Sequence, residues 1–370
     1  MWHEQSKAFV EAGKVGVIGI IQEQHPQRAK LFMQWKQMDW PLLTDSLNLL
    51  GVTAVPITLL VDEHGIVRKT RAKPRDLEAF LKTDYQNDAK ANPIEAGWIT
   101  DSDRRFLRAR TPAELTPIIA GYQTAERAEL FFRLGAIHRA RFDSATAKPN
   151  DFTQAISHWQ GALDRNPNQY IWRRRIQQFG PRLTKPYPFY DWVPQARKDI
   201  RARGETPARL IVEPRGSEIA RPIRRFTQEN AVEVKHPDPT GKLDREARGA
   251  IQVETVMVPP VAKPGSSVRV HLVMKPKAAI GKWNNEAEPL IAFPSDLPEG
   301  WKINRKHYQT PMSPKAESTE TRIAEFELSI PRNAKGKQRA KFTSYFYLRY
   351  SDTGVCQFLA QDIEVDIEVR

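Results

Sequence analysis

Thiol chemistry asks for the fewest side chains, and the sequence limits it at once. Among 370 residues there is one cysteine, Cys356. Exchange between thiols and disulfides needs an attacking thiolate and a second thiol to resolve the mixed disulfide. Cys356 is therefore a candidate redox thiol without an intramolecular partner, and no internal disulfide framework is expected. The eight histidines show no metal-ligand spacing, so no metal site is expected. No glycine-rich phosphate loop and no Ser or Cys nucleophile motif occurs, and no cofactor is expected. One further position carries a constraint of its own. Pro56 opens the apolar run Pro56-Ile57-Thr58-Leu59-Leu60-Val61, and a proline opening an interior strand must sit at the strand's first residue or use a special peptide geometry.

The elements around Pro56 follow from periodicity. Val15-Gly16-Val17-Ile18-Gly19-Ile20-Ile21 is an apolar run of strand length, and Pro26 to Met38 follows with a partly apolar helical face. A short helical segment after Asp45 leads to the Pro56 run. That run reaches a turn at Asp62-Glu63-His64-Gly65, and Ile66-Val67-Arg68 leaves it as a hairpin partner. The predicted order is strand, helix, helix, strand, strand.

Three pieces of this region, Trp40-Pro41-Leu42-Leu43-Thr44-Asp45, Leu50-Gly51-Val52-Thr53-Ala54-Val55-Pro56 and Leu59-Leu60-Val61-Asp62-Glu63-His64-Gly65, resemble the second half of an extracytoplasmic thioredoxin-like protein of the redoxin, TlpA/ResA type. They stand in the family's order and at its spacing. The resemblance implies an incomplete α/β thioredoxin-like domain over residues 1–83, a cis Val55–Pro56 bond, Val55 and Pro56 as the substrate-facing residues, and Leu77 to Leu81 in the closing helix. It also implies thiol:disulfide exchange with protein substrates in the cell envelope. The family's Cys-x-x-Cys heads its first helix, whereas Met1 to Glu11 already reads as the interior of that helix. No catalytic residue of the family is thus present, and the domain is expected to be inactive as it stands. An apolar strand, a Cys-x-x-Cys and a signal peptide are expected to be encoded ahead of residue 1. Met1 onward shows no basic, apolar, small-residue leader pattern.

Beyond residue 83 the composition changes. Asp84 to Asn92 is polar and reads as a connection, opening a helical region over 84–204. There Phe131, Leu134-Gly135 and His138, then Ala155, Trp159, Ala162 and Pro167, resemble one tetratricopeptide repeat, with Asp143 to Asn150 inserted in its turn. Pro181 to Pro194, with Tyr187, Phe189, Tyr190 and Trp192, cannot be regular helix, and its aromatics are expected to clamp it across the helices. Residues 205–249 read as an extended linker with a strand at Leu210-Ile211-Val212. Over 250–370 the period is two, as in Ile251 to Val256, Ser267 to Val273, Arg322 to Ile330, Lys341 to Tyr350 and Asp362 to Val369. That is the pattern of an antiparallel sandwich of immunoglobulin-like type. Trp283 to Pro289 reads as a loop whose amides cap its own backbone. Tyr345 to Cys356 resembles the cysteine loop of the N-terminal domain of thiol:disulfide interchange transporters, with Cys356 at the second cysteine and Ser351 near the first. A buried strand-end thiol is the competing expectation for Cys356.

A length of 370 residues and 40% hydrophobic content suit a chain of several domains, and no stretch is long and apolar enough to span a bilayer. The formal charge of +13 raises nucleic acid as a partner, with Trp172-Arg173-Arg174-Arg175, Arg139, Arg141, Arg221, Arg224 and Arg225 as its densest cations. Interspersed acids favour a solvated basic face instead. The functional expectation is a thioredoxin-like redox protein whose Cys-x-x-Cys lies outside the chain. The alternatives are a non-catalytic protein-binding scaffold of the same architecture and, last, a nucleic-acid-associated protein.

Overall fold

The computed structural model describes residues 2–87, 99–109, 111–122, 127–182, 189–219 and 234–370. It is a mixed, multidomain α/β protein with two compact units. One comprises Met1–Ala147, Gly161–Arg174 and Trp192–Glu213, the other Lys148–Gln160, Arg175–Asp191 and Pro214–Arg370. Residues of the helical region expected over 84–204 fall in both.

The first unit begins with α1 (Trp2–Glu11), β1 (Gly19–Ile21), α2 (Pro26–Trp35) and β2 (Leu42–Thr44), followed by β3 (Leu59–Val61), β4 (Val67–Thr70) and α3 (Leu77–Leu81). Strand β1 pairs with β2 in parallel, Ile20 opposite Leu43, and β3 pairs with β4 antiparallel, Leu59 opposite Thr70. These are two separate two-stranded sheets. Leu60, Ala72 and Leu77 form a small core onto which Trp2 and Phe9 of α1 and Phe80 of α3 pack. The short helix expected after Asp45 does not form; Leu42–Thr44 is instead a strand paired with β1, so the order after α1 is strand, helix, strand, strand, strand, with strands shorter than the apolar runs.

Helices α4 (Asp101–Arg108), α5 (Leu115–Ala120) and α6 (Ala128–Phe142) complete this unit's apolar packing around Leu115, Ile118, Leu134 and Ile137. Thr100 and Asp103 cap α4 reciprocally: the Thr100 hydroxyl accepts from the Asp103 amide and the Asp103 carboxylate accepts from the Thr100 amide. Asp103 is fully buried, and its carboxylate also accepts from Arg133 Nη1 at 2.6 Å and from the Tyr122 hydroxyl. Burial, then the Asp103 hydrogen bond and charge, push the Tyr122 hydroxyl well above its ordinary pKa.

After α6 the chain runs through 143–150, the turn insertion expected there, into α7 (Asp151–Arg165), α8 (Tyr170–Gln177) and α9 (Val193–Ala202). Within the first unit Phe132 stacks on Trp172 at 5.3 Å, and Phe131 lies against Gly161 and under the Arg165 guanidinium. The solvated basic face expected here is formed only in part: Arg173 is exposed and Arg174 half-buried. Arg139, Arg141 and Arg175 are buried, as is Trp172. Arg139 Nε is 2.8 Å from Asp143, and Arg141 Nη1 is 3.1 Å from Thr116 Oγ1. Acids and hydroxyls supplied by the fold, distant in sequence in the case of Thr116, make burial of these guanidinium groups tolerable. Arg221, Arg224 and Arg225 lie outside the described residues, as do 88–92 of the expected connection and 183–188 of the proline-rich segment.

The strand expected at Leu210-Ile211-Val212 does not form. This segment hydrogen-bonds instead to side chains of α2: Gln34 Nε2 donates to Thr206 O, the Ala208 amide donates to Gln34 Oε1, and Arg28 donates to Val212 O. Trp192, at the start of α9, stacks on Trp35 at 5.8 Å with rings 3° from parallel, so part of the proline-rich segment does clamp onto a helix.

The second unit is built on β5 (Ile251–Val258), β6 (Ser267–Pro276), β7 (Gly281–Asn284), β8 (Ile291–Asp296), β9 (Lys302–Ile303), β10 (Tyr308–Gln309), β11 (Glu317–Ser318), β12 (Arg322–Ser329), β13 (Gly336–Tyr350) and β14 (Cys356–Val369). One sheet has the order β5-β6-β12-β9, and the other runs β10-β8-β13-β7-β11 with β14 also paired to β13. Alternate residues of both sheets, Val268, Leu272 and Phe326 from one and Phe342, Phe346 and Ile363 from the other, share one apolar core. Trp283 is part of it and fully buried, its Nε1 donating to Glu320 O, so the expected polar loop begins only after Asn284, the last residue of β7, whose side chain accepts from the Glu286 amide.

The other face of β6 and β12 is not solvated either. Arg269 and His271 stand opposite Glu327 and Glu325, all four are buried, and Arg269 donates to Glu325 at 3.2 Å and to Glu327 at 2.8 Å. Arg182 also reaches Glu327, and His271 Nε2 lies 2.8 Å from Phe179 O. Segments of 150–153, 179–182 and 215–218 cover this face. Gly180 and Gly216 let the backbone come close, because a Cβ at Gly216 would fall 1.4 Å from a Glu325 oxygen. Burial alone would raise the Glu325 pKa, but the hydrogen bond and charge of His271 with the charges of Arg269 and Arg215 outweigh it and bring it down to about 2.

Candidate functional site

The strand edges of the first unit gather the features that stand out. The Val55–Pro56 bond is cis. Val55, Pro56 and Ile57 are all exposed, Val55 by 55%. The corner is held from below: the Ala72 amide donates to Thr58 O at 3.1 Å, and Leu60, two residues further, is buried in the α1 and α3 core. The β3–β4 turn is fixed by Asp62, which accepts from the His64 and Ile66 amides at 2.9 and 2.8 Å and from Arg68 Nε at 2.6 Å. Burial would raise the Asp62 pKa, but the Ile66 amide, Arg68 and the His64 amide together lower it. An aspartate in this turn that ties its own loop together is the physical reason the Asp62-Glu63-His64-Gly65 signal works.

Beside this corner, apolar side chains face outward. In β3, Leu60 is buried, while Leu59 and Val61 are 47% and 48% exposed; in β1 and β2 the paired residues Ile20 and Leu43 are exposed by 48% and 56%. Strand β1 has β2 on one side and strand β3 has β4 on one side, and no other strand of the described residues pairs with either. The free edges therefore present unpaired backbone amides and carbonyls next to aliphatic side chains, which is a template for adding an extended chain. Asp45 stiffens the approach after β2, accepting from the Leu49 and Leu50 amides and from Gln22.

Cys356 is exposed, at the first residue of β14 and opposite Arg349 of β13. This corrects the expectation of a buried thiol: β13 and β14 are joined here by the open turn 351–355, and no apolar layer covers it. Ser351, near the place of a second cysteine, donates through its hydroxyl to Ala278 O at 3.0 Å. Cys356 belongs to the second unit, and Val55 and Pro56 to the first. Among the described residues no group of three His, Cys, Asp or Glu could hold a metal ion, and no helix is long and apolar enough to cross a membrane. The outward aliphatic row was missed in the sequence, because Leu59 and Val61 read as ordinary members of a buried strand.

No family model matches the chain, and no curated protein matches it. Solved structures with partial likeness include a sporulation control protein from Bacillus subtilis, 13% identical over 33% of this chain and 50% of that one, with a TM-score of 0.19. An enzyme described as catalysing macrocyclization in alchivemycin A biosynthesis is 12% identical over 34% of this chain and 95% of its own, with a TM-score of 0.20. An alkylpurine DNA glycosylase from Pseudomonas fluorescens is 9% identical over 72% of this chain and 66% of its own, with a TM-score of 0.19. The chain spans half the length of the first of these. Likenesses this slight leave the function to the chain's own geometry.

Proposed function

We propose that the chain is a polypeptide-binding protein of thioredoxin-like build, taking an extended segment along the strand edges beside Val55 and Pro56. The observation that supports this most is the pairing of free backbone edges on β1 and β3 with outward Ile20, Leu59 and Val61. Main-chain hydrogen bonds from such an edge supply affinity, and alternate side chains of the guest supply selectivity. Thiol:disulfide chemistry, which the family resemblance implies, would need cysteines brought by another segment, because residues 1–370 hold Cys356 alone. A cell-envelope location, a tetratricopeptide-like pairing of α6 with α7 and an immunoglobulin-like build for the two-sheet unit belong to the same reading.

Hydrogen exchange on the intact chain tests it, with reduced and alkylated lysozyme as the extended guest. Amides from Ile18 to Ile21 and from Ile57 to Val61 should gain protection, while those of β6 and β12 should not change. Uniform exchange with and without the guest would remove the proposal.

A further inference from the structure

One end of the two-sheet unit carries a cluster of exposed cations without ion-pair partners among the described residues. Three loops meet there: residues 259–266, 297–301 and 330–336. The Gly265 amide donates to Pro331 O, the Ile330 amide donates to Ser266 O, and a Cβ at Gly300 would lie 3.3 Å from Pro331. Lys302 stands opposite Ser329, and Lys337 opposite Glu368, at the same end. Lys263, Lys302, Arg332, Lys335 and Lys337 are all exposed and have no ion-pair partner among the described residues. The neighbouring acids are committed elsewhere: Glu368 to Arg370, Glu364 and Asp366 to Arg339, and Asp296 to Lys341. Glu299 is the counter-charge left on these loops. At the opposite end of the same unit Arg248 pairs with Asp352, and Lys282 and Arg349 pair with Glu317.

We infer that this end of the unit is a docking surface for an anionic lipid bilayer. Four of its five cations are lysines, compact hydrated charges that follow a diffuse negative surface rather than fork onto a single phosphate. The loops offer no exposed aromatic on which bases could stack, Trp301 being only 8% exposed. Val261, 37% exposed and two residues from Lys263, gives the surface an aliphatic tip that a headgroup layer accepts and a nucleic-acid backbone does not use. Binding is peripheral and needs no spanning segment.

The test is co-sedimentation of the full chain with vesicles of phosphatidylcholine alone and of phosphatidylcholine mixed with phosphatidylglycerol, in low and high salt. The chain should bind the mixed vesicles, release them at high salt and ignore the neutral ones. The combined variant Lys263→Gln, Lys335→Gln, Lys337→Gln should weaken binding by about a hundredfold, roughly fivefold per lysine. Lys277→Gln, at the other end, should leave binding unchanged, and circular dichroism reports whether each variant is folded. Absence of binding to the mixed vesicles overturns the inference, as does a folded triple variant that binds like the parent. A mixed-sequence oligonucleotide provides the competing arm. If it binds through these lysines while the vesicles do not, the surface belongs to nucleic acid and the lipid assignment fails.

Discussion

The two units treat their strand edges in opposite ways. Strand β14 is a long edge, yet its outward residues Asp362, Glu364, Asp366 and Glu368 are acidic, and Arg245 and Arg339 sit against three of them. Its backbone is also covered at both ends: the Glu246 amide donates to Ala360 O and the Ala262 amide to Glu368 O. Charge and coverage of this kind stop a sheet from recruiting another chain. Strands β1 and β3 have neither protection, and aliphatic residues take the places that carboxylates hold in β14. A chain that guards one edge and leaves another open distinguishes between them. The unguarded pair is the place where the proposed polypeptide guest would add.

The largest effect expected from breaking this comparison lies on the guarded side. Arg269→Met leaves Glu325 and Glu327 buried without the one cation that bonds both, and should cost about 3–5 kcal/mol in a urea titration followed at the second unit. A loss under 1 kcal/mol would mean that the ion layer does not hold the covering segments to the sheet.

Acid should act on the same layer. The Glu325 pKa is lowered in the fold from its ordinary 4.5 to about 2, so its contribution is fully present above the unfolded value and disappears as pH falls from 4.5 towards 2. That window is worth on the order of 3 kcal/mol. Stability of Glu325→Gln, measured across it, should show correspondingly less pH dependence than the parent. Parallel pH curves would contradict the assignment.

These ionic features were the least legible in the sequence. Alternation in Ser267 to Val273 and Arg322 to Ile330 marks the strands well, because one face of each is packed on a core and the period of two survives. The same alternation assigns Arg269, His271, Glu325 and Glu327 to solvent. Only the covering segments, over a hundred residues upstream in the case of Asn150 and Thr153, which bond to Glu254, turn that face into an interior. Arg141 of α6 misled for the same reason, since its partner Thr116 stands on another helix, 25 residues upstream, where no local pattern places it. By contrast the β3–β4 hairpin was legible, as its turn is made by a near neighbour, Asp62, whereas the helix expected after Asp45 gives way to turns tied by the Asp45 carboxylate.

A smaller effect sharpens the open side. Leu59→Thr replaces an outward leucine while Leu60 keeps the core, so the change in stability should stay within about 0.5 kcal/mol. A cost of several kcal/mol would show that Leu59 is already packed and that this edge is closed.

The central claim concerns the open edge itself, and backbone hydrogen bonding is what distinguishes strand addition from greasy contact. Fluorescence anisotropy of a labelled hexapeptide of alternating valine and threonine, compared with the same peptide N-methylated at alternate amides, reads this directly. The full chain should bind the first saturably and the second little, and Leu59→Thr should weaken binding of the first. Equal binding of both peptides, or binding of neither, would contradict it.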